Sequence, residues 1–260
     1  MEIFGIPSQA LFGQLLIGLI NGSFYALLSL GLAVIFGLLN IINFTHGAQY
    51  MLGAFVAWLA LNKLGLNYWL ALLVTPVVVG ASGVLIERTM LKQLSKPDHL
   101  YVLLLTFGLA LIIQGVFRNE YGSSGMPYPV PEAFQGVFNT GFMFLPKYRA
   151  WVIVASLVIC ASTWYVIERT KLGAYLRAAT ENPSLVQAFG INVPRMITLT
   201  YGFGVGLAAL AGVMAAPIYQ VSPMMGADII IVVFAVVVIG GMGSIMGAIV
   251  SGFGLGLIEG

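Results

Sequence analysis

Few residues in this sequence are equipped for chemistry, and most of them fall in three short segments. The first is Gly37-Leu38-Leu39-Asn40-Ile41-Ile42-Asn43-Phe44-Thr45-His46-Gly47-Ala48-Gln49. Asn40, Asn43, Thr45, His46 and Gln49 place amide, hydroxyl and imidazole groups in a run, residues 3–62, that carries no charge. Such groups are costly in hydrocarbon unless they pair or face a cavity. Gly37 and Gly47 bracket them and would permit an interrupted helix, whose freed backbone groups can bind a ligand. The competing account is ordinary interhelical hydrogen bonding, worth only ~0.6 kcal/mol per contact. Both accounts stand for the cluster; for His46 alone the structural one is favoured.

The second segment is Gly240-Gly241-Met242-Gly243-Ser244-Ile245-Met246-Gly247. Glycines at this density weaken a helix by ~1 kcal/mol each, so a break is expected here. Gly243, Gly247 and Ser251 also fit the small-x-x-x-small spacing of tight helix crossings, and packing alone would account for them. One interrupted segment in each half of a membrane chain is nevertheless the pattern that points to a central transport site.

The third segment runs Glu181-Asn182-Pro183-Ser184-Leu185-Val186-Gln187-Ala188-Phe189-Gly190. Asn182 suits a helix N-cap, Pro183 the first helical position and Gly190 the C-terminal stop. The resulting helix has about two turns, too few to be stable alone. Leu185, Val186 and Phe189 share one face by helical spacing. That face needs a partner: the membrane interface, the protein's own bundle, or a groove on a cytoplasmic protein.

Covalent chemistry finds no support. The sequence contains neither the His-Glu-x-x-His pair of zinc proteases nor a phosphate-cradling Gly-x-x-x-x-Gly-Lys-Ser/Thr loop. The only histidines are His46 and His99, and the single cysteine, Cys160, lies in an apolar run as a small hydrophobe. Gly122-Ser123-Ser124-Gly125 matches the short nucleophile motif of intramembrane serine proteases. It sits in a polar, proline-rich stretch, where Gly-Ser loop chemistry is the better account.

The elements that must position these segments follow from composition. Of 260 residues, 60% are hydrophobic and only 8% charged, against roughly 25% charged in a soluble domain. The solvent for most of this surface is therefore lipid, which excludes a soluble enzyme, a disulfide-stapled domain and a disordered tail. A net charge of +2 implies no nucleic acid partner. Charge-free runs at 64–86, 99–117, 150–167 and 196–227 each accommodate one span of ~20 residues. The 3–62 run holds two helices or one plus a broken segment, and 229–258 one span or a broken one. The expected fold is an all-α, polytopic transmembrane bundle with broken helices and about seven to eight spans, forming a single domain over 1–260.

Seven of the 11 basic residues lie in 87–98 and 168–195, which places those segments in the cytoplasm and 118–149 outside. The N-terminus is then external; it lacks a basic region before its apolar core, so no cleaved signal peptide is expected. The loop 118–149 reads as an ordered, turn-rich excursion with room for a short re-entrant piece. Ile86-Glu87-Arg88-Thr89 and Ile167-Glu168-Arg169-Thr170 each close an apolar run, which predicts matching surroundings for both helix ends.

On these segments the sequence resembles the permease subunits of branched-chain amino acid ABC transporters, the H-type of the two paired permeases. The resemblance rests on residues 31–55 (GLAVIFGLLNIINFTHGAQYMLGAF), 177–193 (RAATENPSLVQAFGINV) and 236–252 (VVVIGGMGSIMGAIVSG). It implies a bacterial cytoplasmic (inner) membrane location and a complex with a second permease subunit, two cytoplasmic ATPase subunits and an external solute-binding protein. It implies no cofactor in this chain. The loop at 178–193 matches the family's coupling segment, so Leu185, Val186 and Phe189 would face the ATPase and Glu181 its rim. Related permeases for urea, short amides and aromatic carboxylates share much of the pattern. Family members usually continue past the segment matching 240–252 to a further helix and a short cytoplasmic tail. A sequence ending at Glu259-Gly260 is thus expected to be truncated or to lack its last span.

The expected function is inward movement of a small, mostly apolar amino acid, driven by ATP on partner subunits. Asn40, Asn43, Thr45, His46, Gly47, Gly240, Gly241, Gly243 and Ser244 would flank the path. Helix N-termini there would attract a carboxylate, and apolar walls an aliphatic side chain. A passive channel would use the same pore segments but has no need of a motor-docking helix.

Overall fold

The charge-free run at 3–62 folds as two helices, α1 (Ser8–Leu39) and α2 (Thr45–Leu64). The break between them starts at Asn40, whose φ of +54° lies in the left-handed region that asparagine tolerates better than most residues. In this computed structural model, residues 2–3, 6–94, 99–139 and 144–260 are described; Lys96, one of the cations used above for orientation, lies outside them.

Gly65, at φ +64°, ends α2 in a left-handed cap, and the Asn67 side chain caps the next helix by accepting from Leu70 N–H at 3.0 Å. That helix, α3 (Tyr68–Ile86), continues through a π-helical turn (Glu87–Leu91) into the short α4 (Lys92–Leu94). Then come α5 (His99–Tyr121), α6 (Lys147–Arg169), α7 (Lys171–Glu181), α8 (Pro183–Ala188), α9 (Val193–Tyr219), α10 (Met225–Gly240) and α11 (Ile245–Glu259). Short antiparallel pairs join β1 (Glu2–Ile3) to β2 (Ile6–Pro7) and β3 (Val137–Asn139) to β4 (Phe144–Pro146).

Among the described residues, five helices are long and apolar enough to cross a membrane: α1, α3 with its extension, α5, α6 and α9. The 20-residue α2 and the shorter apolar α10 and α11 make up the remainder of the expected seven to eight. The run at 229–258 is indeed broken, but α10 starts earlier, at Met225, inside the preceding charge-free run.

Packing is built on small residues. α9 lies against α1, α2 and α3, while α1 runs along α11. A Cβ on Gly53 of α2 would lie 2.2 Å from the Ala209 carbonyl of α9, and one on Gly256 of α11 would lie 2.2 Å from Gly22 N of α1. Without a hydrophobic drive between helices in lipid, such close backbone approach supplies the van der Waals contact that holds them. α5 is peripheral, and its Leu104, Phe107, Leu111, Ile112 and Val116 are exposed to whatever surrounds the bundle.

The two Glu-Arg-Thr helix ends do not occupy matching surroundings. Glu87 is only 5% exposed and accepts from the Thr198 hydroxyl of α9 at 2.7 Å. Glu168 is exposed and pairs with Arg177 at 3.3 Å. The difference comes from α9, which covers the end of the first helix but not of the second.

The excursion between α5 and α6 begins at Gly122, because α5 continues through Tyr121. It is ordered by a backbone bridge between Met126 and Val221, a 3-10 turn at Glu132–Phe134 and the β3–β4 pair. No re-entrant helix occurs among its described residues. An aromatic cluster beneath it includes Trp69, Phe134 and Trp151, with the Tyr148 hydroxyl 2.9 Å from the Met214 carbonyl and 3.1 Å from the Tyr68 hydroxyl. Aromatic rings with polar tips suit a membrane–water boundary. Burial pushes the Tyr128 hydroxyl in this loop up to about 12, so it stays neutral at physiological pH.

Candidate functional site

After Asn40 the chain doubles back. His46, at the start of α2, lies against Leu28 and Gly31 of α1, so residues 40–44 climb about two to three turns along α1 in non-helical form. Backbone of this kind at membrane depth needs partners, and Thr106 of α5 supplies them. Its hydroxyl accepts from Phe44 N–H at 3.2 Å and lies 3.2 Å from the Ile42 carbonyl. The Thr45 hydroxyl donates to the Thr106 carbonyl at 3.0 Å. The lone threonine of an otherwise apolar stretch was the available signal for this role, and sequence reasoning passed over it.

Thr106→Val keeps the shape and removes the hydroxyl. It should lower stability by about 1–3 kcal/mol, the cost of stranding a buried donor and acceptor, read as a lower melting temperature of the detergent-solubilised protein. An unchanged melt would show that segment 40–44 does not depend on α5.

Asn43, Thr45, His46 and Gly47 are buried, and Asn40 is exposed. His46 Nε2–H donates to the Leu28 carbonyl at 3.0 Å, and Asn43 Nδ2 donates to Gln49 Oε1 at 3.1 Å. Asn43 Oδ1 has no hydrogen-bond partner among the described residues, and His46 Nδ1, Gln49 Nε2 and the Tyr201 hydroxyl, where Gln49 interacts with both of the others, fall short of good hydrogen-bond geometry. A buried acceptor left unmade, as Asn43 Oδ1 is, costs ~1–3 kcal/mol. Gly47 lines an apolar cavity of about 270 Å3 between α2, α5 and α10, with Phe44, Met51, Phe107 and Ile230 among its walls.

Gly37 and Gly47 do not act by breaking a helix. Gly37 is still within α1, where a Cβ would fall 2.3 Å from Gly243 Cα, and a Cβ on Gly47 would fall 2.4 Å from the Gly226 carbonyl. Both glycines permit backbone-to-backbone contact, and the first of these contacts joins the two interrupted segments. In the second segment Gly240 ends α10, Gly241 and Gly243 take φ of +89° and +94°, and the Ser244 hydroxyl caps α11 by accepting from Gly247 N–H at 3.0 Å. The small-residue spacing is used as well: the Ser251 hydroxyl lies 2.9 Å from the Val236 carbonyl of α10. The Gly240–Ser244 turn therefore meets the end of α1 through Gly243, which touches Gly37.

In the third segment Asn182 caps α8 by accepting from Leu185 N–H at 3.0 Å, Pro183 opens the helix, and Gly190 follows its end at φ +82°. The three apolar residues expected on one face divide. Val186 is 7% exposed and packs with Ala179 of α7 and Val193 of α9, whereas Leu185 is 55% and Phe189 78% exposed. A two-turn helix needs a seat on its own protein, and Val186 provides it. Glu181, Pro183 and Ser184 are exposed on the same protrusion. The Thr180 hydroxyl of α7, one residue before Glu181, lies 2.8 Å from the Leu38 carbonyl of α1, beside the Asn40 break.

A helical membrane protein whose broken helices meet at one joint, with a braced amphipathic turn alongside, has the architecture of a transport subunit. The comparisons make this specific. Residues 14–260 match the family described as "Branched-chain amino acid transport system / permease component", and the chain belongs to it. It is similar to the high-affinity branched-chain amino acid transport system permease protein BraD of Pseudomonas aeruginosa, 30% identical over 95% of this chain and 84% of the relative. LivH of Escherichia coli K12, of the same description, is 29% identical over 95% and 84%. LivM of the same organism, also a permease of that description, is 28% identical over 85% of this chain and 57% of its own length. No solved structure matches significantly. The chain is thus a membrane permease component, and its similarity to both LivH and LivM points to a system with a second permease subunit.

Proposed function

We propose that this chain is the permease subunit of an ATP-driven importer for branched-chain or other small apolar amino acids in the cytoplasmic membrane. Its partners would be a second permease subunit, two ATPase subunits and an external solute-binding protein. The observation that carries the reading is the exposed Leu185–Phe189 pair on a helix that is capped by Asn182 and seated by Val186. Exposed apolar residues held rigidly on a polar cytoplasmic loop suit a docking groove on an ATPase.

The route from that helix to the membrane is short. α8 follows α7 directly, and the Thr180 hydroxyl of α7 meets the Leu38 carbonyl next to the Asn40 break. Movement of α8 by the ATPases would therefore reach the joint where Gly37 of α1 touches Gly243. Two states of that joint, biased by ATP, would open the path alternately to each side. The unpartnered Asn43 Oδ1 is a group that a passing solute or its water could satisfy. No covalent step is assigned to this chain.

The test is reconstitution of the whole complex in proteoliposomes with labelled leucine. Uptake that requires ATP and the binding protein is the expected result. Uptake that persists without the ATPases would make the chain a passive facilitator, and transport of urea, short amides or aromatic carboxylates in place of leucine would replace the substrate class.

A further inference from the structure

At the cytoplasmic end of the bundle a groove of about 440 Å3 runs between the end of α6, the start of α7 and the first turns of α9. Val166, Ile167, Leu172, Met196, Leu199 and Phe203 give it mainly apolar walls, and Arg195 stands among them. Its floor is preformed. A Cβ on Gly173 of α7 would overlap the Ile167 carbonyl, so the α6–α7 turn is closed tightly on Ile167.

The order of residues along α9 shows what the groove suits. Arg195, Leu199 and Phe203 stand four apart, so they form one stripe that runs about 12 Å along the helix. Because α9 begins at Val193, the cation lies at the cytoplasmic mouth and the apolar side chains follow toward the bilayer interior. Leu199 and Phe203 are exposed, as are Val166 of α6 and Leu172 of α7. Two residues before Val166, the ring of Trp164 lies 5.6 Å from the Arg169 guanidinium. Tryptophan and arginine together are typical of a membrane–water boundary.

Arg195 is the uncommitted charge of this region. Arg177 is held by Glu168 at 3.3 Å and by the Ile167 carbonyl at 3.1 Å. Arg195 is exposed and has no ion-pair partner among the described residues. The Asn192 side chain is occupied in capping α9, where it accepts from Arg195 N–H at 3.0 Å. No acidic side chain lines the groove among the described residues. An occupant must therefore bring an anion to the mouth and hydrocarbon to the walls behind it. A helix from another chain does not fit, because 440 Å3 is about the volume of one turn of a helix about 10 Å across. A flexible acyl chain does.

We infer that this groove holds an anionic phospholipid of the cytoplasmic leaflet, with its phosphate on Arg195 and one acyl chain along Leu199 and Phe203. Basic pockets between membrane helices on the cytoplasmic side recognise such head groups. Met196 lines the groove and also packs against the Ala179–Val186–Val193 cluster that seats α8. The lipid therefore braces the seat of α8, whichever solute is carried.

The test titrates the full chain in detergent with phosphatidylglycerol and reads the melting temperature and, by native mass spectrometry, the lipid retained. Phosphatidylglycerol should raise the melting temperature saturably and stay bound. Phosphatidylcholine with the same acyl chains, and glycerophosphate without them, should do neither. Arg195→Gln should raise the phosphatidylglycerol concentration for half the effect by about fivefold or more, the worth of one basic residue at an anionic membrane surface. Leu199→Gln should raise it as well, by removing apolar wall. Both replace exposed side chains, so the fold survives them. Arg88→Gln, at an exposed cation outside the groove, should leave the midpoint unchanged. An Arg195→Gln midpoint within about twofold of wild type, equal responses to the two lipids, or an equal shift in Arg88→Gln would overturn the site. So would a phosphatidylglycerol effect that disappears once a second permease subunit is bound, which would assign the groove to that subunit.

Discussion

Phe189→Asp should abolish productive coupling: uptake by the complex should fall by more than about tenfold, with loss of ATPase association in pull-downs, while the isolated permease keeps its melting temperature. The residue is 78% exposed and makes no contribution to the permease core, so its removal leaves the fold alone. An aromatic anchor at the centre of an interface is typically worth ~2 kcal/mol or more, and burying a carboxylate in its place adds a desolvation penalty. Leu185→Asp should act in the same direction and more weakly, since a leucine anchor contributes less. Val186→Asp should behave differently. It places a charge between α7 and α9, so the melt should fall as well as the uptake. A Phe189→Asp permease that still binds ATPases and transports at the wild-type rate would remove α8 from the mechanism.

Gly53→Leu has the largest effect expected on the fold itself. A Cβ at that position would lie 2.2 Å from the Ala209 carbonyl and 2.5 Å from its Cα, inside atoms that belong to the backbone of α9. No rotamer relieves this, so α2 and α9 must separate, and with them the wall that positions Tyr50 and the start of α2. The expected outcome is little or no folded protein after detergent extraction, read by size-exclusion chromatography. The contrast is Gly108→Ala on α5, where nothing lies within 4 Å of the new Cβ. There the substitution should raise stability by up to about 1 kcal/mol, the ordinary helix preference of alanine over glycine. Folded Gly53→Leu protein in wild-type yield would show that α2 and α9 do not depend on close approach at Gly53.

These predictions fall on residues that were unequally legible. The α8 helix was readable almost to the atom, because a cap, a proline and a glycine are local devices and their hydrogen bonds close within a few residues. The segment Asn40–Gln49 was recognisable as an interruption because amides are out of place among aliphatic residues. The agent of the break was misassigned, however: Asn40 turns the chain, and Gly37 and Gly47 serve contacts with Gly243 and Gly226. Glycine has two uses, conformational freedom and smallness, and only a neighbour in space reveals which one applies.

The same limit runs through the rest of the site. Thr106 and Thr180 matter through partners 62 and 142 residues away, and nothing in their own surroundings announces this. The sequence by itself determined the solvent, the helical class, the main span positions and the capped turn at Asn182–Gly190. Each of these depends on composition and on hydrogen bonds that a helix makes within itself. Only the tertiary structure decided that the two interrupted segments touch through Gly37 and Gly243, that Val186 seats α8 while Leu185 and Phe189 stay free, and that Arg195 heads an apolar groove between α6, α7 and α9. In lipid, polar pairing and close backbone contact choose which helices meet, and that choice is made between residues far apart in the chain.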